Sequence, residues 1–354
     1  MKATNLQKIG ILTLILLCFL SQCKAEDKRT TYDNLTEALQ NTTDVRILSL
    51  HNKLKTLPKD IGKLKKLRVL DLRGNQLTTL PKEIEQLQNL TELNLNKNQF
   101  TTIPNEIGYL KNLQELHIGG NQLKTLPKDI GKLKNLQVLH LSNNKLATLP
   151  NEIRKLQNLQ KLYLSENQLT ILPEEIGKLK NLTKLDLNYN ELTTLPNEIG
   201  KLQNLQELTL GNNQLTVLPK EIRELQKLTV LYLSYNQFKT LPKEIGELQK
   251  LTVLYLSYNQ FKTLPKEIGE LQKLTVLYLR SNQLKMFPNE IGKLKELESL
   301  DLSHNQLTTL PKEIGELQNL RKLYLDDIPA LRSQEEKIRK LLPEVYLNFI
   351  EIEK

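Results

Sequence analysis

Cysteine is nearly absent from this chain of 354 residues, which contains only Cys18 and Cys23, both within the first 25 positions. From residue 26 onward there is no thiol, so that part of the chain forms no disulfide and carries no cysteine nucleophile. A cysteine-free protein is compatible with oxidising and reducing compartments alike. Cysteine usage therefore does not indicate where the protein resides.

Long apolar runs are absent too. The longest extends from Ile9 to Leu20 and is too short for a usual transmembrane helix, so no transmembrane span is expected. Lysines followed by a short apolar segment are typical of a secretory leader. We predict a signal peptide over residues 1–25, with Cys23 and Ala25 at the small-residue positions before the cleavage site, and hence a secreted protein.

The tetrapeptide Leu20-Ser21-Gln22-Cys23 supports an alternative. It resembles a lipobox, after which Cys23 would be lipidated, although Gln22 fits that motif poorly. Lipidation of Cys23 would anchor the protein at the cell surface, and a leader that is never cleaved is a third option.

Signatures of catalysis are also missing. No Gly-rich phosphate-binding loop follows a predicted strand, because the recurring Gly-Lys pairs belong to the turns of a repeat. Asp71, Asp186 and Asp301 lie in distant repeats, well beyond the separation of a hydrolytic carboxylate pair. We therefore expect neither enzymatic activity nor a cofactor.

What the chain does contain is a 23-residue unit, L-x-x-L-x-L-x-x-N-x-L-x-x-L-P-x-x-I-x-x-L, repeated from about residue 45 to residue 325. Residues 229–251 and 252–274 are identical copies. The asparagines recur every 23 residues from Asn52 without insertion, and the prolines of the L-P pair keep the same spacing. Such a strict period predicts a solenoid in which each unit forms one coil.

Within each coil, the alternation around two leucines, such as Leu70 and Leu72, predicts a short strand with leucines pointing inward. Successive strands should stack as a parallel sheet, about thirteen strands spanning about 60 Å. The asparagine after each strand is expected to turn into the core and bond backbone groups that the bend leaves unpaired. This predicted asparagine ladder comprises Asn75, Asn98, Asn121, Asn144, Asn167, Asn190, Asn213, Asn236, Asn259, Asn282 and Asn305.

The segment after each L-P pair carries apolar residues three positions apart, as in Ile245 and Leu248, which predicts a helical or 3₁₀ turn on the outer side. The expected architecture is of the α/β class. It is an arc-shaped solenoid with a parallel β-sheet on the concave face and short helical or 3₁₀ turns on the convex face.

The asparagine and L-P pattern resembles the leucine-rich repeat family, in the 23-residue class of the Ras-group repeat proteins, over roughly four fifths of the chain. The lysine-rich repeats, the leader and the short C-terminal tail are most similar to the secreted leucine-rich repeat proteins of Leptospira-type spirochaetes. This resemblance implies host or surface binding and a candidate role in virulence. The ubiquitin-ligase activity of some bacterial effector repeat proteins needs a catalytic cysteine, which this chain lacks after residue 25.

Both ends of the repeat array depart from the pattern, since the first coil is one residue short and Ile328 replaces the next asparagine. No second domain is expected. The predicted organisation is a signal peptide at 1–25, an N-terminal cap at 26–44, about 12 to 13 leucine-rich repeats at 45–328 and a C-terminal cap at 329–354.

Each cap has its own predicted elements. Residues 31–40 are typical of a short amphipathic helix. Ser333 and Glu336 match a capping box for a second helix, and residues 345–350 are expected to form a last strand. Incomplete caps would leave apolar ends, so a monomer or a weak dimer is expected.

Eight of the eleven tyrosines fall at two positions of the predicted inner face, and around the identical coils the only nearby charge is Arg280. Exposed, rigid tyrosines provide a large contact area at low entropic cost. The alternative is that duplication copied them and their rings stabilise the sheet without binding anything. The predicted protein-binding residues are Tyr163, Tyr189, Val230, Tyr232, Tyr235, Val253, Tyr255, Tyr258, Val276, Tyr278 and Arg280.

His117 and His140 occupy the same inner-face position in adjacent coils, about 5 Å apart, with Glu92 and Glu115 nearby. Two imidazoles and a carboxylate are candidate zinc ligands, whereas structural zinc sites usually have four. The alternative is a pair of solvent-facing histidines.

The formal net charge is +10, and loss of the leader, with three lysines and no acid, would leave +7. The lysines alternate with glutamates in the outer turns and form no basic stripe with aromatics, so no nucleic-acid partner is expected. We expect a non-catalytic, extracellular or surface protein-binding module for adhesion or host interaction, with a host surface protein as one candidate ligand. The alternative is a structural or self-associating envelope protein, anchored through Cys23.

Overall fold

The computed structural model describes residues 30–51 and 53–349, and a single sheet runs through this part of the chain. Its 15 strands are all parallel and follow chain order. They are β1 (Thr31–Tyr32), β2 (Ile47–Ser49), β3 (Val69–Asp71), β4 (Glu92–Asn94), β5 (Glu115–His117), β6 (Val138–His140), β7 (Lys161–Tyr163), β8 (Lys184–Asp186), β9 (Glu207–Thr209), β10 (Val230–Tyr232), β11 (Val253–Tyr255), β12 (Val276–Tyr278), β13 (Ser299–Asp301), β14 (Lys322–Tyr324) and β15 (Tyr346–Asn348).

The sheet lines the concave face of a solenoid, and a 3₁₀ turn closes each coil on the convex side. The sequence allowed either a helical or a 3₁₀ turn at this position, and the structure has 3₁₀ turns. The turns are Lys59–Lys63, Lys82–Gln86, Asn105–Tyr109, Lys128–Lys132, Asn151–Lys155, Glu174–Lys178, Asn197–Lys201, Lys220–Glu224, Lys243–Glu247, Lys266–Glu270, Asn289–Lys293 and Lys312–Glu316. A proline with φ between −63° and −71° precedes every turn, because its ring presets the backbone for that entry.

Strand pairing keeps the 23-residue register. Leu231 of β10 aligns with Leu254 of β11, which aligns with Leu277 of β12. The short first coil shifts this by one, so that Leu48 aligns with Leu70. The repeats thus supply the thirteen predicted strands β2 to β14, and each cap adds one more.

The core is a continuous column of leucine and isoleucine that extends through every coil. Phe100, Phe238 and Phe261 replace leucine in three coils and are also fully buried. Burying one such side chain contributes about 1.5 to 3 kcal/mol. Because each coil has apolar surface on both sides, only its neighbours make it stable.

The predicted asparagine ladder forms, and its members from Asn75 to Asn305 are all buried. Asn213 is representative: its Oδ1 accepts from the Leu192 amide at 3.0 Å, and its Nδ2 donates to the carbonyls of Leu187 and Leu210 at 2.9 and 3.0 Å. Each asparagine therefore joins backbone groups of two coils. Asn52 lies outside the described residues.

A second asparagine row, which was not predicted from the sequence, precedes the strands on the exposed flank. Each of its side chains donates to a carbonyl of the preceding coil, as Asn181 does to Gln157 at 2.8 Å. The row ends where Lys227 replaces the asparagine. Its members are Asn89, Asn112, Asn135, Asn158, Asn181 and Asn204.

The caps differ in detail from the predictions. Helix α1 (Leu35–Gln40) is shorter than predicted, because residues 31–32 form β1 and Asn34 caps the helix by accepting from Thr36 and Glu37 amides. At the other end, α2 (Pro329–Arg332) and α3 (Glu335–Leu341) cover the last coil.

The predicted capping box is wrong. The hydroxyl of Ser333 donates to the Ala330 carbonyl at 2.9 Å, so it does not cap α3, which begins after Gln334. The preceding helix α2 holds Ser333 in an αR conformation, whereas an N-cap residue is usually extended.

Candidate functional site

The tyrosines of three neighbouring coils form a continuous row on the concave face. In-register pairing places Tyr232 beside Tyr255 and Tyr255 beside Tyr278, with ring centroids 5.2 and 5.3 Å apart. Burial and the neighbouring tyrosines raise the pKa of Tyr255, which keeps its hydroxyl neutral. We call the surface formed by Val230, Tyr232, Tyr235, Val253, Tyr255, Tyr258, Val276, Tyr278 and Arg280 the tyrosine face.

A second tyrosine row lies beside the first, at the position before each ladder asparagine. The rings of Tyr235 and Tyr258 stack with centroids 4.2 Å apart and planes 8° from parallel. Both residues have left-handed backbones, with φ of 58° and 57°, which is uncommon for residues with large side chains. This conformation holds the rings outward, and their side chains remain 44% and 39% exposed.

Gly211 makes room for the first ring of the row. A Cβ at Gly211 would overlap the ring of Tyr232, so only glycine allows that ring to lie over the preceding coil. This residue was not predicted from the sequence. The available signal was a glycine in a column where neighbouring coils carry Asn188 and Ser234.

Arg280 closes the tyrosine face on its C-terminal side. Its Nη2 donates to Nε2 of His304 at 2.8 Å, and Nδ1 of His304 donates to Asp327 at 3.2 Å. Burial acts to raise the pKa of Tyr258, but hydrogen bonds with Arg280 and Tyr235 lower it overall. The guanidinium is thus fixed between the tyrosines and an acidic edge.

Two of the predicted binding residues lie apart from this surface. Tyr189 is 57% exposed but is separated from Tyr235 by the coil that carries Asn212. Tyr163 packs edge-on against His140, with centroids 5.5 Å apart, and Lys184 Nζ lies 5.6 Å from its ring centre. The structure therefore brings together the tyrosine face and leaves these two tyrosines at its N-terminal side.

The structure groups the candidate metal ligands differently from the prediction. Ligand atoms of Glu92, Glu115 and His117 lie within 4.8 Å of one another, and His117 Nε2 is 3.1 Å from Glu115. Burial and repulsion from Glu115 raise the pKa of Glu92. His140 lies outside this group, with its ring edge-on to His117 at 6.0 Å. Three partly exposed ligands fit the usual four-ligand structural zinc site poorly.

The packing of His140 predicts that the folded protein loses stability in acid. Burial, together with the nearby His117, lowers the pKa of His140 below its ordinary value of 6.5. As the pH falls below 6.5, the unfolded chain takes up a proton that the folded chain resists, so the free energy of unfolding decreases. Urea denaturation at pH 7.5 and at pH 5 measures this decrease. The free energy of unfolding should fall less between the two pH values for His140→Gln than for the unmodified protein. The exposed His51→Gln variant controls for loss of an imidazole, and identical pH profiles for His140→Gln and the unmodified protein would contradict the expectation.

Comparisons with known proteins agree with this architecture. A family model described as a leucine-rich repeat region matches residues 12–123, 116–190 and 230–354, and one described as leucine rich repeat matches residues 180–238. No curated protein sequence matches the chain significantly.

Solved structures extend the likeness over most of the chain. A leucine-rich repeat protein of Leptospira interrogans is 44% identical, with a TM-score of 0.67 and coverage of 90% of this chain and 99% of that one. The internalin InlF of Listeria monocytogenes is 25% identical, with a TM-score of 0.73 and coverage of 90% and 89%. The plant peptide hormone receptor RGFR1, solved in complex with RGF2, is 29% identical, with a TM-score of 0.51 and coverage of 91% and 65%.

Over residues 30–51 and 53–349, no helix is long and apolar enough to cross a membrane. The predicted leader and Cys23 lie outside the described residues. The 23-residue register, the buried asparagine ladder and the parallel sheet agree with the family models and with the Leptospira structure, and so this chain belongs to the leucine-rich repeat family.

Proposed function

We propose that this protein is a non-catalytic module, secreted or exposed at the cell surface, that binds a protein ligand through its concave face in adhesion or host interaction. The observation that carries this proposal is the tyrosine face, in which five tyrosines lie in two rows on a rigid sheet, with the rings in contact within each row. Tyrosine is enriched in binding hot spots because it buries a large area with few rotatable bonds.

The ring contacts prearrange this surface. Tyr232, Tyr255 and Tyr278 restrict one another, and the stacked Tyr235 and Tyr258 do the same in the second row. Little side-chain entropy is therefore left to lose when a ligand covers them. Ring contacts also stabilise the sheet, but that role does not require rings as exposed as Tyr235 and Tyr258.

The similar structures support the same kind of activity. RGFR1 was solved in complex with RGF2, which makes protein or peptide binding a reasonable role for a solenoid of this shape. Likeness to an internalin and to a peptide hormone receptor supports a protein that acts outside the cell.

Binding should depend on the first tyrosine row. The variant Tyr232→Ser, Tyr255→Ser and Tyr278→Ser should bind its ligand more than about 100-fold more weakly, because hot-spot residues contribute about 2 kcal/mol or more each. Immobilised protein is exposed to solubilised host-cell surface proteins, captured ligand is identified by mass spectrometry, and its affinity is measured with the purified ligand.

The matched control is Tyr109→Ser, since Tyr109 is 44% exposed on a convex turn. Far-ultraviolet circular dichroism checks that all variants fold. Capture that is unchanged in the folded triple variant, or equally reduced by Tyr109→Ser, would refute a role for the tyrosine face.

A further inference from the structure

Two rows of exposed lysines flank the tyrosine face. One residue of the leading row lies three positions before each of the strands β10, β11 and β12, and one of the trailing row lies seven positions after each strand. Because the strands pair in register, equivalent lysines lie in adjacent coils. The leading row is Lys227, Lys250 and Lys273, and the trailing row is Lys239, Lys262 and Lys285.

Two contacts between adjacent coils support this stacking. Nζ of Lys227 reaches Oδ1 of Asn204, its counterpart one coil earlier, at 2.6 Å. In the trailing row, the Lys285 amide donates to the Lys262 carbonyl at 3.4 Å. Equivalent positions on both flanks therefore contact each other from coil to coil.

Single lysines occupy these positions elsewhere, at Lys66 before β3 and Lys124 after β5, but consecutive lysines occur only in the coils that carry the tyrosine face. At the leading position the preceding coils have the second asparagine row, and the following coil has Glu296. At the trailing position Thr216 precedes the row and Thr308 follows it. Consecutive lysines thus coincide with consecutive tyrosines.

Within the described residues these lysines have no acidic partner. The floor between them carries threonine, valine, tyrosine and serine, with Arg280 as its single charged residue. The neighbouring acids Glu247 and Glu270 end convex turns, and Glu270 is already paired with Lys293 at 3.2 Å. By contrast, Lys184 and Glu207 on the preceding coils neutralise each other at 2.7 Å.

The floor favours one class of polyanion. Bases bind aromatic side chains by stacking on open ring faces. Here Tyr235 and Tyr258 cover one face of each other, and Tyr232, Tyr255 and Tyr278 contact one another in tilted and edge-on arrangements. Ring edges, hydroxyls and valine methyls line much of the floor, and these groups suit aliphatic side chains and peptide groups. The lysine rows suit carboxylates.

We propose that the tyrosine face binds an acidic polypeptide segment, whose apolar side chains cover the tyrosines and valines and whose carboxylates face the two lysine rows. The inference rests on the proposed function and names the chemistry of its ligand.

The probe is a fluorescein-labelled 12-residue peptide in which Asp and Glu alternate with Val and Leu, measured by fluorescence anisotropy with the full chain. We expect binding that weakens with added salt, because flanking charges are screened. A peptide with Lys in place of the acids should not bind, and one with Ser in place of Val and Leu should bind about tenfold more weakly.

Three charge-matched variants test the lysines. Lys227→Gln with Lys250→Gln and Lys273→Gln should weaken binding about tenfold, and so should the corresponding change of the trailing row, since each exposed ion pair contributes up to about 1 kcal/mol. The control replaces Lys220, Lys243 and Lys266, which are exposed on the convex turns of the same coils, and should change affinity less than about twofold.

The inference would be overturned if the acidic peptide failed to bind, if the convex control lost as much affinity as the flanking rows, or if heparin or a dT12 oligonucleotide bound more tightly in a lysine-dependent manner. These outcomes are separable from failure of the proposed function. A captured ligand that needs the tyrosines but ignores both lysine rows would refute only the acidic-segment inference, whereas a ligand indifferent to the tyrosines would refute both.

Discussion

Replacing Asn213 with alanine should lower the free energy of unfolding by about 2 to 4 kcal/mol, one of the largest effects expected from a single substitution in this protein. The side chain is buried and bonds the Leu192 amide and the Leu187 and Leu210 carbonyls. Alanine makes none of these bonds, so the Leu192 amide would be left without a partner, whereas the Leu187 and Leu210 carbonyls would each keep one bond, from Asn190 and Asn236. An unpaired buried amide costs about 1 to 3 kcal/mol, and the two lost carbonyl bonds together add about 1 kcal/mol.

The matched control is Asn181→Ala. Asn181 also bonds a carbonyl of the preceding coil, but it does so on the exposed flank, where water replaces the lost bond. We expect a loss below about 1 kcal/mol. The free energy of unfolding of both variants is measured by urea denaturation, with circular dichroism as the signal. In a solenoid the Asn213 variant should also broaden the transition, because a weakened interface lets the two halves unfold separately. Equal stabilities for the two variants would show that burial of the ladder contributes little.

Replacing Leu331 with aspartate should open the C-terminal cap and destabilise the protein by about 4 kcal/mol or more. Leu331 in α2 is fully buried and belongs to the same core as the leucines of the last coils. A carboxylate at this position would have to be desolvated without a cation or would displace the helix. Displacement exposes the apolar end of the solenoid, and two such ends should then associate.

The control is Ala330→Asp, which introduces the same charge at the neighbouring exposed residue. Light scattering after gel filtration should show concentration-dependent dimers or larger species for Leu331→Asp only, and thermal unfolding should begin earlier for that variant. A stable monomer for Leu331→Asp would indicate that the last coil does not need the C-terminal cap to remain folded and monomeric. The same measurement on the unmodified protein tests the expectation of a monomer or weak dimer.

Features that follow from the period were predictable from the sequence. The repeat fixes which leucines point inward, where each strand begins and which asparagines are buried, since one coil determines all others. The choice between an α-helical and a 3₁₀ turn was not predictable, because an apolar spacing of three fits both. The end of the chain was also hard to predict: Ser333 has the right spacing for a cap, but the preceding helix decides its conformation.

Features that depend on neighbouring coils were not predictable from a single repeat. The fit of Tyr232 over Gly211 involves residues of two coils, and so do the hydrogen bonds of the second asparagine row. The lysines of coils β10 to β12 have the composition of a solvated surface, and only stacking shows that six of them flank the tyrosines. The binding role of Tyr163, Tyr189 and the tyrosine face stays a prediction that the proposed experiments test.

The two identical coils, residues 229–251 and 252–274, have an evolutionary consequence. Their junction already joins the end of one copy to the start of another, and their strands pair in register. A recombination event that adds or removes one whole copy would therefore create no new interface. It would change each of the two tyrosine rows by one ring, each flanking row by one lysine and the solenoid by about 4.8 Å, while both caps keep their neighbours. The length of this surface can thus change in whole steps, without any intermediate that must fold differently.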